Sequence, residues 1–299
     1  MTYAFHTADV FTDRLHGGNP LAVVPDARGL TDEQMQSIAR EFNYSETVFV
    51  FPPRETGNTR SIRIFTPGKE LPFAGHPTLG TALYLQSIAP SKLEQVVLDL
   101  NVGKIPVRFM SEPENQSDRV GGEVFGEMAQ RDPEFGTILA RDRLAAVLRE
   151  EREAIASEPP CQVVSTGLPF AIVPIRDREA LAEVKPDLSR SAELLQGSGA
   201  QFFYFISPPT GEAEREARAR MFFYGGEDPA TGSAAGCAAS WMVRHGWAES
   251  DEQILIRQGV EARRPSEIFV RAKGEGKKVT DVRVGGYAVE VLRGRVTLK

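Results

Sequence analysis

The sequence predicts an α+β protein built from two similar halves. Three observations carry this prediction: a stretch of the first half recurs in the second, many short apolar runs have the length of strands, and two helical segments have no charged face. At 299 residues, 41% of them hydrophobic, the chain exceeds the size at which a single core is usual. We therefore expect two domains, formed by residues 1–118 together with 285–299 and by residues 119–284.

The recurring stretch covers residues 63–82 and 220–239. Aligned without gaps, the two copies are identical at Arg63/Arg220, Phe65/Phe222, Gly68/Gly225, Glu70/Glu227, Pro72/Pro229, Gly75/Gly232 and Ala82/Ala239. Each copy passes from an apolar run through a turn rich in Gly and Pro to small helix-forming residues. A helix start carries unpaired N–H groups and the positive end of the helix dipole. Two such starts predict one anion held between two halves.

Apolar runs bounded by turn residues predict strands at 3–10, 20–24, 48–51, 62–65, 96–100, 103–109, 121–128, 161–165, 171–174, 201–206, 220–224, 253–258, 268–273, 279–285 and 287–298. Helices are predicted at 31–42, 78–85, 142–151, 188–195 and 233–240. The first of these begins with the capping-box pattern Thr31-Asp-Glu-Gln34. Because the second and the last have no polar stripe, we expect each to be enclosed by its own domain. Residues 211–218 are predicted to be an exposed loop.

Charge and cysteine content exclude several classes of function. A net charge of −6 and an isoelectric point near 5.5 disfavour binding to nucleic acid or to an anionic membrane. Cys161 and Cys237 lie in different halves, and the four histidines show no metal-ligand spacing, so we expect neither disulfide nor metal. With no apolar run of membrane-spanning length, a cytoplasmic protein is expected.

Three ionisable residues stand near the predicted helix starts or strand entries. Glu46 lies between hydroxyl residues and precedes an apolar run, and a poorly solvated carboxylate suits the uptake and return of a proton. His76 and Asp228 lie at the two helix starts. Each also has a structural interpretation: a paired loop glutamate, a hydrogen-bonded loop histidine and an ordinary turn aspartate.

Several long motifs resemble those of the PhzF-like isomerase family of phenazine biosynthesis. They are Asn-Tyr-Ser-Glu-Thr-Val-Phe at 43–49, Glu-Leu-Pro-Phe-Ala-Gly-His-Pro-Thr-Leu-Gly at 70–80, Glu-Asp-Pro-Ala-Thr-Gly-Ser-Ala-Ala-Gly at 227–236 and Gly-Gly-Asn-Pro-Leu-Ala-Val-Val at 17–24. The resemblance covers essentially the whole chain. It implies the diaminopimelate epimerase-like fold, with two pseudo-symmetric domains, each a β-barrel-like sheet around a central helix, and an active site between them.

The resemblance also implies a reaction and a set of residues. Glu46 would be the general acid/base, with His76 and Asp228 as catalytic partners, in a cofactor-independent movement of a proton on a small carboxylate-bearing substrate. The family's namesake acts on trans-2,3-dihydro-3-hydroxyanthranilate. We predict substrate-binding roles for Asn19, Ser45, Gly75, Pro77, Thr78, Thr231, Gly232 and Ser233. A homodimer is implied in the same way.

Two alternatives stay open at this point. A non-catalytic protein that binds small carboxylates would use the same helix starts, since a fold does not guarantee chemistry. An amino-acid epimerase or racemase of this fold would use two opposed cysteines. It is disfavoured, because the helix starts carry Gly75-His76 and Gly232-Ser233 while Cys237 lies about one turn inside its helix.

Overall fold

The computed structural model describes residues 1–111, 124–148, 152–211, 215–223 and 226–298. Its strands are β1 (Thr2–Val10), β2 (Asn19–Val24), β3 (Glu46–Phe51), β4 (Arg60–Phe65), β5 (Glu70–Leu71), β6 (Gln95–Leu100), β7 (Gly103–Ser111), β8 (Val124–Ala129), β9 (Glu134–Ile138), β10 (Gln162–Ser165), β11 (Pro169–Pro174), β12 (Phe202–Ile206), β13 (Glu216–Phe223), β14 (Gly226–Asp228), β15 (Ile254–Gln258), β16 (Ser266–Glu275), β17 (Lys278–Gly286) and β18 (Ala288–Thr297). Its α-helices are α1 (Asp32–Phe42), α2 (Gly75–Ser87), α3 (Arg141–Leu148), α4 (Arg178–Glu183), α5 (Leu188–Ser198) and α6 (Gly232–His245). This mixture confirms the predicted α+β class.

The chain forms two compact units. Unit 1 comprises Met1–Ala129 and Gly285–Lys299, and unit 2 comprises Gln130–Val284. Strand β8 belongs to unit 1, beyond the boundary predicted at residue 118. The two units are defined by how the chain packs. The division of the chain into domains at residues 118 and 284 stays a prediction.

The strands of unit 1 form one continuous series of hydrogen-bonded neighbours. Neighbouring strands follow the order β18, β1, β2, β3, β4, β6, β7, β8, and the short β5 pairs with β4. Only β2/β3 and β4/β6 are parallel. Parallel neighbours need a crossover connection, and α1 and α2 supply the two crossovers.

Helix α2 is the central helix of unit 1. Every residue from Gly75 to Gln86 is buried, and the helix contacts β1, β2, β3, β6, β7, β8 and β18. A Cβ atom at Gly80 would lie 2.5 Å from Val10 Cγ2 and 2.7 Å from Leu21 Cδ2, so glycine permits this close approach to β1 and β2. The missing polar stripe of its sequence is explained by burial on all sides, as predicted.

Unit 2 repeats the same plan. Its strands follow the order β9, β10, β11, β12, β13, β15, β16, with β14 on β13, and the parallel pairs are β11/β12 and β13/β15. Helix α6 contacts β10, β11, β12 and β16, and its residues 234–242 are buried. Each unit therefore packs a central helix, whose buried residues carry no charge, against the strands of the same unit.

The residues shared by the two sequence copies make the same contact in each unit. Arg63 donates from Nε and Nη2 to the two carboxylate oxygens of Glu70 at 2.8 and 2.6 Å. Arg220 contacts Glu227 in the same two-pronged manner at 2.8 and 2.9 Å. Each pair ties a long strand to the short strand that leads towards the helix. The repeated arginine and glutamate are thus part of the scaffold.

Several element predictions need correction. The loop predicted at 211–218 is wrong from Glu216 onwards, because β13 begins there and buries Ala217 and Ala219 between charged neighbours. That alternation is a strand pattern. Helix α2 begins at Gly75 rather than at residue 78. Four elements were not predicted: the strands β9 and β14, the two-residue strand β5 and the helix α4. Predicted segments at 121–123, 149–151, 212–214 and 224–225 lie outside the described residues.

The capping box predicted at the first helix is confirmed. Thr31 accepts a hydrogen bond from the Gln34 N–H, and the Gln34 side chain accepts one from the Thr31 N–H. In the described part of the chain, no helix has both the length and the apolar character needed to cross a membrane.

Candidate active site

Glu46 is the first residue of β3 and lies at a strand entry in the middle of the unit 1 sheet. Helix α1 ends at Asn43, whose left-handed conformation (φ 53°) turns the chain directly into the strand. Glu46 lies opposite Leu21 in the parallel β2/β3 pair. Its side chain is 15% exposed, while the next residues of β3 are buried. The side chain therefore keeps a small opening to solvent at the margin of an apolar core, although its Oε2 atom is buried.

His76 lies beside this carboxylate, in the first turn of α2. Its Nε2 atom is 3.3 Å from Oε2 of Glu46. Burial lowers the pKa of His76 from 6.5 to about 3, and a hydrogen bond to the backbone of Pro20 opposes this shift. The distance alone would fit an ion pair, but a fully buried imidazole with this pKa is neutral near pH 7. We therefore describe the contact as a neutral histidine facing a carboxyl group.

The hydrogen bond to Pro20 defines which nitrogen of His76 carries the proton. Proline has no N–H, so its carbonyl oxygen accepts and the imidazole donates. His76 Nε2 has no partner with hydrogen-bond geometry, so Nδ1 is the donor. Nε2 then carries the lone pair, 3.3 Å from Oε2 of Glu46 but outside hydrogen-bond geometry. This side of the histidine can accept a proton, but it cannot donate one.

The start of α2 is not capped by a side chain. Its N-cap residue is Ala74, and no side-chain hydrogen bond is made there. The Thr78 hydroxyl, predicted to bind substrate, donates instead to the Ala74 carbonyl at 2.7 Å. The first N–H groups of α2, beside His76, retain the positive end of the helix dipole.

The other predicted unit 1 residues lie along the same edge. Asn19 begins β2 and is completely buried, and it precedes the Pro20 that binds His76. Ser45 directly precedes Glu46, and Gly75 and Pro77 flank His76 in the helix. The structure thus brings Glu46 and His76 into contact and places the remaining predicted residues next to them in the chain.

In unit 2, Asp228 ends β14 and Thr231 is the N-cap residue of α6. The Thr231 hydroxyl donates to Oδ2 of Asp228 at 2.5 Å. It makes no hydrogen bond to the helix, so α6 also begins without a side-chain cap. Ser233, in the first helical turn, is partly exposed among buried neighbours. The Gly232 carbonyl accepts a hydrogen bond from the Gln130 side chain at 2.9 Å.

Two residues for which no role was predicted hold this second group together. Gln258, at the end of β15, and Tyr204, in β12, are both completely buried. Gln258 binds Asp228, Thr231 and Tyr204. Burial, and next the charge of Asp228, raises the pKa of Tyr204 well above its usual value, so the hydroxyl stays protonated. For Gln258, the available signal was a polar residue followed by glycine at the end of a predicted strand.

Neither cysteine has the properties of a catalytic thiolate. Burial raises the pKa of Cys237 to about 11 and that of Cys161 to about 12. Cys237 Sγ lies 3.5 Å from the Thr166 hydroxyl and 3.7 Å from the Leu168 carbonyl. Among the described residues, no group of three or more His, Cys, Asp or Glu side chains is arranged to hold a metal ion.

Known proteins resemble this chain over almost its full length. Residues 8–294 match the family model described as phenazine biosynthesis-like protein. A trans-2,3-dihydro-3-hydroxyanthranilate isomerase of Pseudomonas chlororaphis is 39% identical, over 97% of this chain and 98% of the relative.

Solved structures place the fold in the same group. The Bacillus anthracis phenazine biosynthesis protein of the PhzF family superposes with a TM-score of 0.88 at 26% identity, covering both chains completely. A probable proline racemase from Agrobacterium radiobacter has a TM-score of 0.65 at 13% identity, over 99% of this chain and 93% of the other. The predicted diaminopimelate epimerase-like fold is confirmed by these similarities.

Proposed function

Since the chain belongs to the phenazine biosynthesis-like (PhzF) family and is an isomerase, we propose that it moves a proton within a small carboxylate-bearing substrate, without a cofactor. Glu46 is the general acid/base of this proposal. The substrate class is that of trans-2,3-dihydro-3-hydroxyanthranilate, on which the named Pseudomonas relative acts. The observation that supports it most is the Glu46–His76 contact, which pairs a slightly exposed carboxyl group with a neutral imidazole.

The proton cycle follows from the two side chains. Ionised Glu46 removes a proton from one carbon of the substrate, and the electron pair of that C–H bond shifts the neighbouring double bond. Glu46 is then a carboxylic acid, and the lone pair of His76 Nε2 can accept its hydrogen bond. The acid returns the proton to a different carbon, so that no atom or electron is gained or lost. One group serves as base and then as acid.

The helix starts support the charge that develops in this cycle. Removing a carbon-bound proton next to an unsaturated system gives an anion, and uncapped N–H groups stabilise negative charge without reorganising. The first turns of α2 and α6 offer such groups. We propose that Asp228, Thr231 and Ser233 bind polar groups of the same substrate, with Asp228 accepting hydrogen bonds from its amino or hydroxyl group.

The test is the replacement Glu46→Gln, which keeps the size of the side chain and removes its acid/base function. With trans-2,3-dihydro-3-hydroxyanthranilate in D₂O, we expect wild-type turnover, with solvent deuterium incorporated wherever protonated Glu46 exchanges with solvent before it returns the proton. The variant should be slower by about 10²- to 10⁴-fold, the usual contribution of general acid–base catalysis. Glu127→Gln, at a buried glutamate of unit 1 outside this group, is the matched control and should keep its rate. Unchanged exchange in Glu46→Gln would remove the proposed proton carrier.

The two alternatives predict different results. A non-catalytic carboxylate-binding protein would bind ligands without any deuterium incorporation over a panel of small unsaturated and amino acids. A two-thiol racemase would lose activity in Cys237→Ala, but the buried, protonated state of both cysteines does not favour it. The homodimer stays a proposal based on the resemblance, and sedimentation velocity tests it.

A further inference from the structure

Gln258 uses the full hydrogen-bonding capacity of its amide group. Its Oε1 accepts from the Tyr204 hydroxyl and the Thr231 N–H, both at 3.1 Å. Its Nε2 donates to the Asp228 carbonyl at 2.7 Å and to the Thr231 hydroxyl oxygen at 2.9 Å. A side-chain amide has two donor hydrogens and two acceptor sites, so none is left unused. The buried amide is therefore a fixed junction of this network.

The orientation of the amide is determined by its backbone partners. The Thr231 N–H can only donate, so the atom facing it must be the amide oxygen. The Asp228 carbonyl can only accept, so the atom facing it must be the amide nitrogen. Rotating the amide by half a turn would set donor against donor and acceptor against acceptor, in a buried place where unpaired polar groups are costly.

This orientation also fixes the hydroxyl proton of Thr231. Because Nε2 of Gln258 donates to the hydroxyl oxygen, the hydroxyl hydrogen must be directed to another acceptor. Oδ2 of Asp228 lies 2.5 Å away and accepts it. Asp228 is thus held twice: at its carbonyl by Gln258 directly, and at one carboxylate oxygen through Thr231.

We propose that Gln258 is a positioning residue for Asp228 in the isomerase reaction, acting through the hydroxyl of Thr231. This inference rests on the proposed function, in which Asp228 binds the substrate. Gln258 itself makes no contact with substrate in this role. It keeps one oxygen of the carboxylate occupied and the backbone fixed, so that the carboxylate meets the substrate in one orientation.

The first experiment compares Gln258→Leu with Gln162→Leu. Gln162 is a matched control, since it is a buried strand residue of unit 2 whose amide binds the Gly136 carbonyl and faces His245. For Gln258→Leu we expect kcat per folded enzyme to fall about 10- to 100-fold, as for outer-shell partners of other functional groups, with KM changed less than about threefold. Gln162→Leu should lose stability and keep kcat. Equal kcat values in the two variants would overturn the inference.

The second experiment tests whether Gln258 acts through Thr231. Thr231→Val removes the hydroxyl and should lower kcat, while Thr231→Ser retains it and should restore most of the rate. The double variant Gln258→Leu/Thr231→Val should be no slower than the slower single variant, because both changes break one connection to Asp228. Multiplied losses would mean two independent contributions and would contradict the proposed path.

The outcome can be separated from failure of the proposed function. If Glu46→Gln is inactive and Gln258→Leu is as active as wild type, only the positioning role fails. If Glu46→Gln keeps its exchange activity, the proposed function fails. The ¹³C carboxyl resonance of Asp228 then tests separately whether Gln258 positions Asp228. We expect it to shift in Gln258→Leu and not in Gln162→Leu. An unmoved resonance would overturn the inference without any substrate.

Discussion

The two units share one strand plan but carry different side chains at matching positions. Glu46 begins β3, and its counterpart in β12 of unit 2 is Phe202. Leu71, opposite Ile64, corresponds to Asp228, opposite Met221. The N-cap residues are Ala74 and Thr231, and the second helical residues are His76 and Ser233.

The matching extends to the residues behind the helices. Val48 lies in β3 where Tyr204 lies in β12, and Leu100 ends β6 where Gln258 ends β15. At the matched positions, unit 1 therefore carries one acid and one histidine among apolar residues, whereas unit 2 carries a buried polar network and no acid at the strand entry. Under the proposed function, the same scaffold therefore holds a proton carrier in one copy and a rigid binding group in the other.

The largest expected difference between the two units concerns the shared arginines. Arg220 is 7% exposed at its side chain and also donates to the carbonyls of Leu181, Ala182 and Val184 at the end of α4. Arg220→Met leaves these groups and Glu227 unpaired, so we expect a loss of about 3–5 kcal/mol in the free energy of unfolding.

Arg63→Met is the matched variant in unit 1. Arg63 is 22% exposed, and its remaining partner, Asp32, is mostly in solvent. Its loss should cost only about 1–2 kcal/mol, because solvent replaces part of the contact. Urea unfolding of both variants measures the difference, and equal losses would show that the two pairs are equivalent despite their surroundings.

The second effect is a pH dependence at His76 of unit 1, whose matching position in unit 2 is Ser233. The pKa of His76 is about 3 in the folded chain and about 6.5 when exposed, so between these values the unfolded chain binds a proton that the folded chain refuses. Stability is therefore present above pH 6.5 and lost as the pH falls towards 3. Between pH 6.5 and 4 we expect a loss of about 3 kcal/mol from this group.

His76→Asn isolates this contribution, since asparagine does not titrate. Urea unfolding between pH 4 and 7 should give a shallower slope for the variant than for wild type. Ser233→Ala, at the matching position of α6, should leave the slope unchanged. Parallel curves for wild type and His76→Asn would mean that the histidine takes up its proton in the folded state.

The third effect compares the packing of the two central helices. Ala at Gly80 would place Cβ against Val10 and Leu21 in the core, and overpacking of this kind costs about 1–3 kcal/mol. Ala at Gly236 would meet the amide end of Gln130, which can rotate away at the cost of its bonds to Gly232 and Thr166. In thermal unfolding, the melting temperature of Gly80→Ala should be lower than that of Gly236→Ala. The reverse order would show that the central helix of unit 2 is the more tightly packed one.

The fold and half of the candidate site could be predicted from the sequence for a physical reason. The repeated arginine, glutamate and glycine positions are local in the chain, and Glu46, His76 and Asp228 stand beside turn residues that mark strand and helix ends. Gln258 and Tyr204 could not be found this way. They are 54 residues apart, and each lies in a mainly apolar run that predicts only a core strand. Their contact forms only when the strands pair.

The smallest effect tests whether that buried network sets unit 2 apart. Tyr204→Phe removes one of the two donors to Oε1 of Gln258 and leaves the Thr231 N–H in place. We expect a loss of about 1 kcal/mol in the free energy of unfolding, the net value of one buried hydrogen bond. In the Gln258→Leu background the same change should cost less, because the acceptor is already gone. An equal cost in both backgrounds would show that the hydroxyl stabilises unit 2 without Gln258, and the proposed contrast with Val48 of unit 1 would then depend on packing alone.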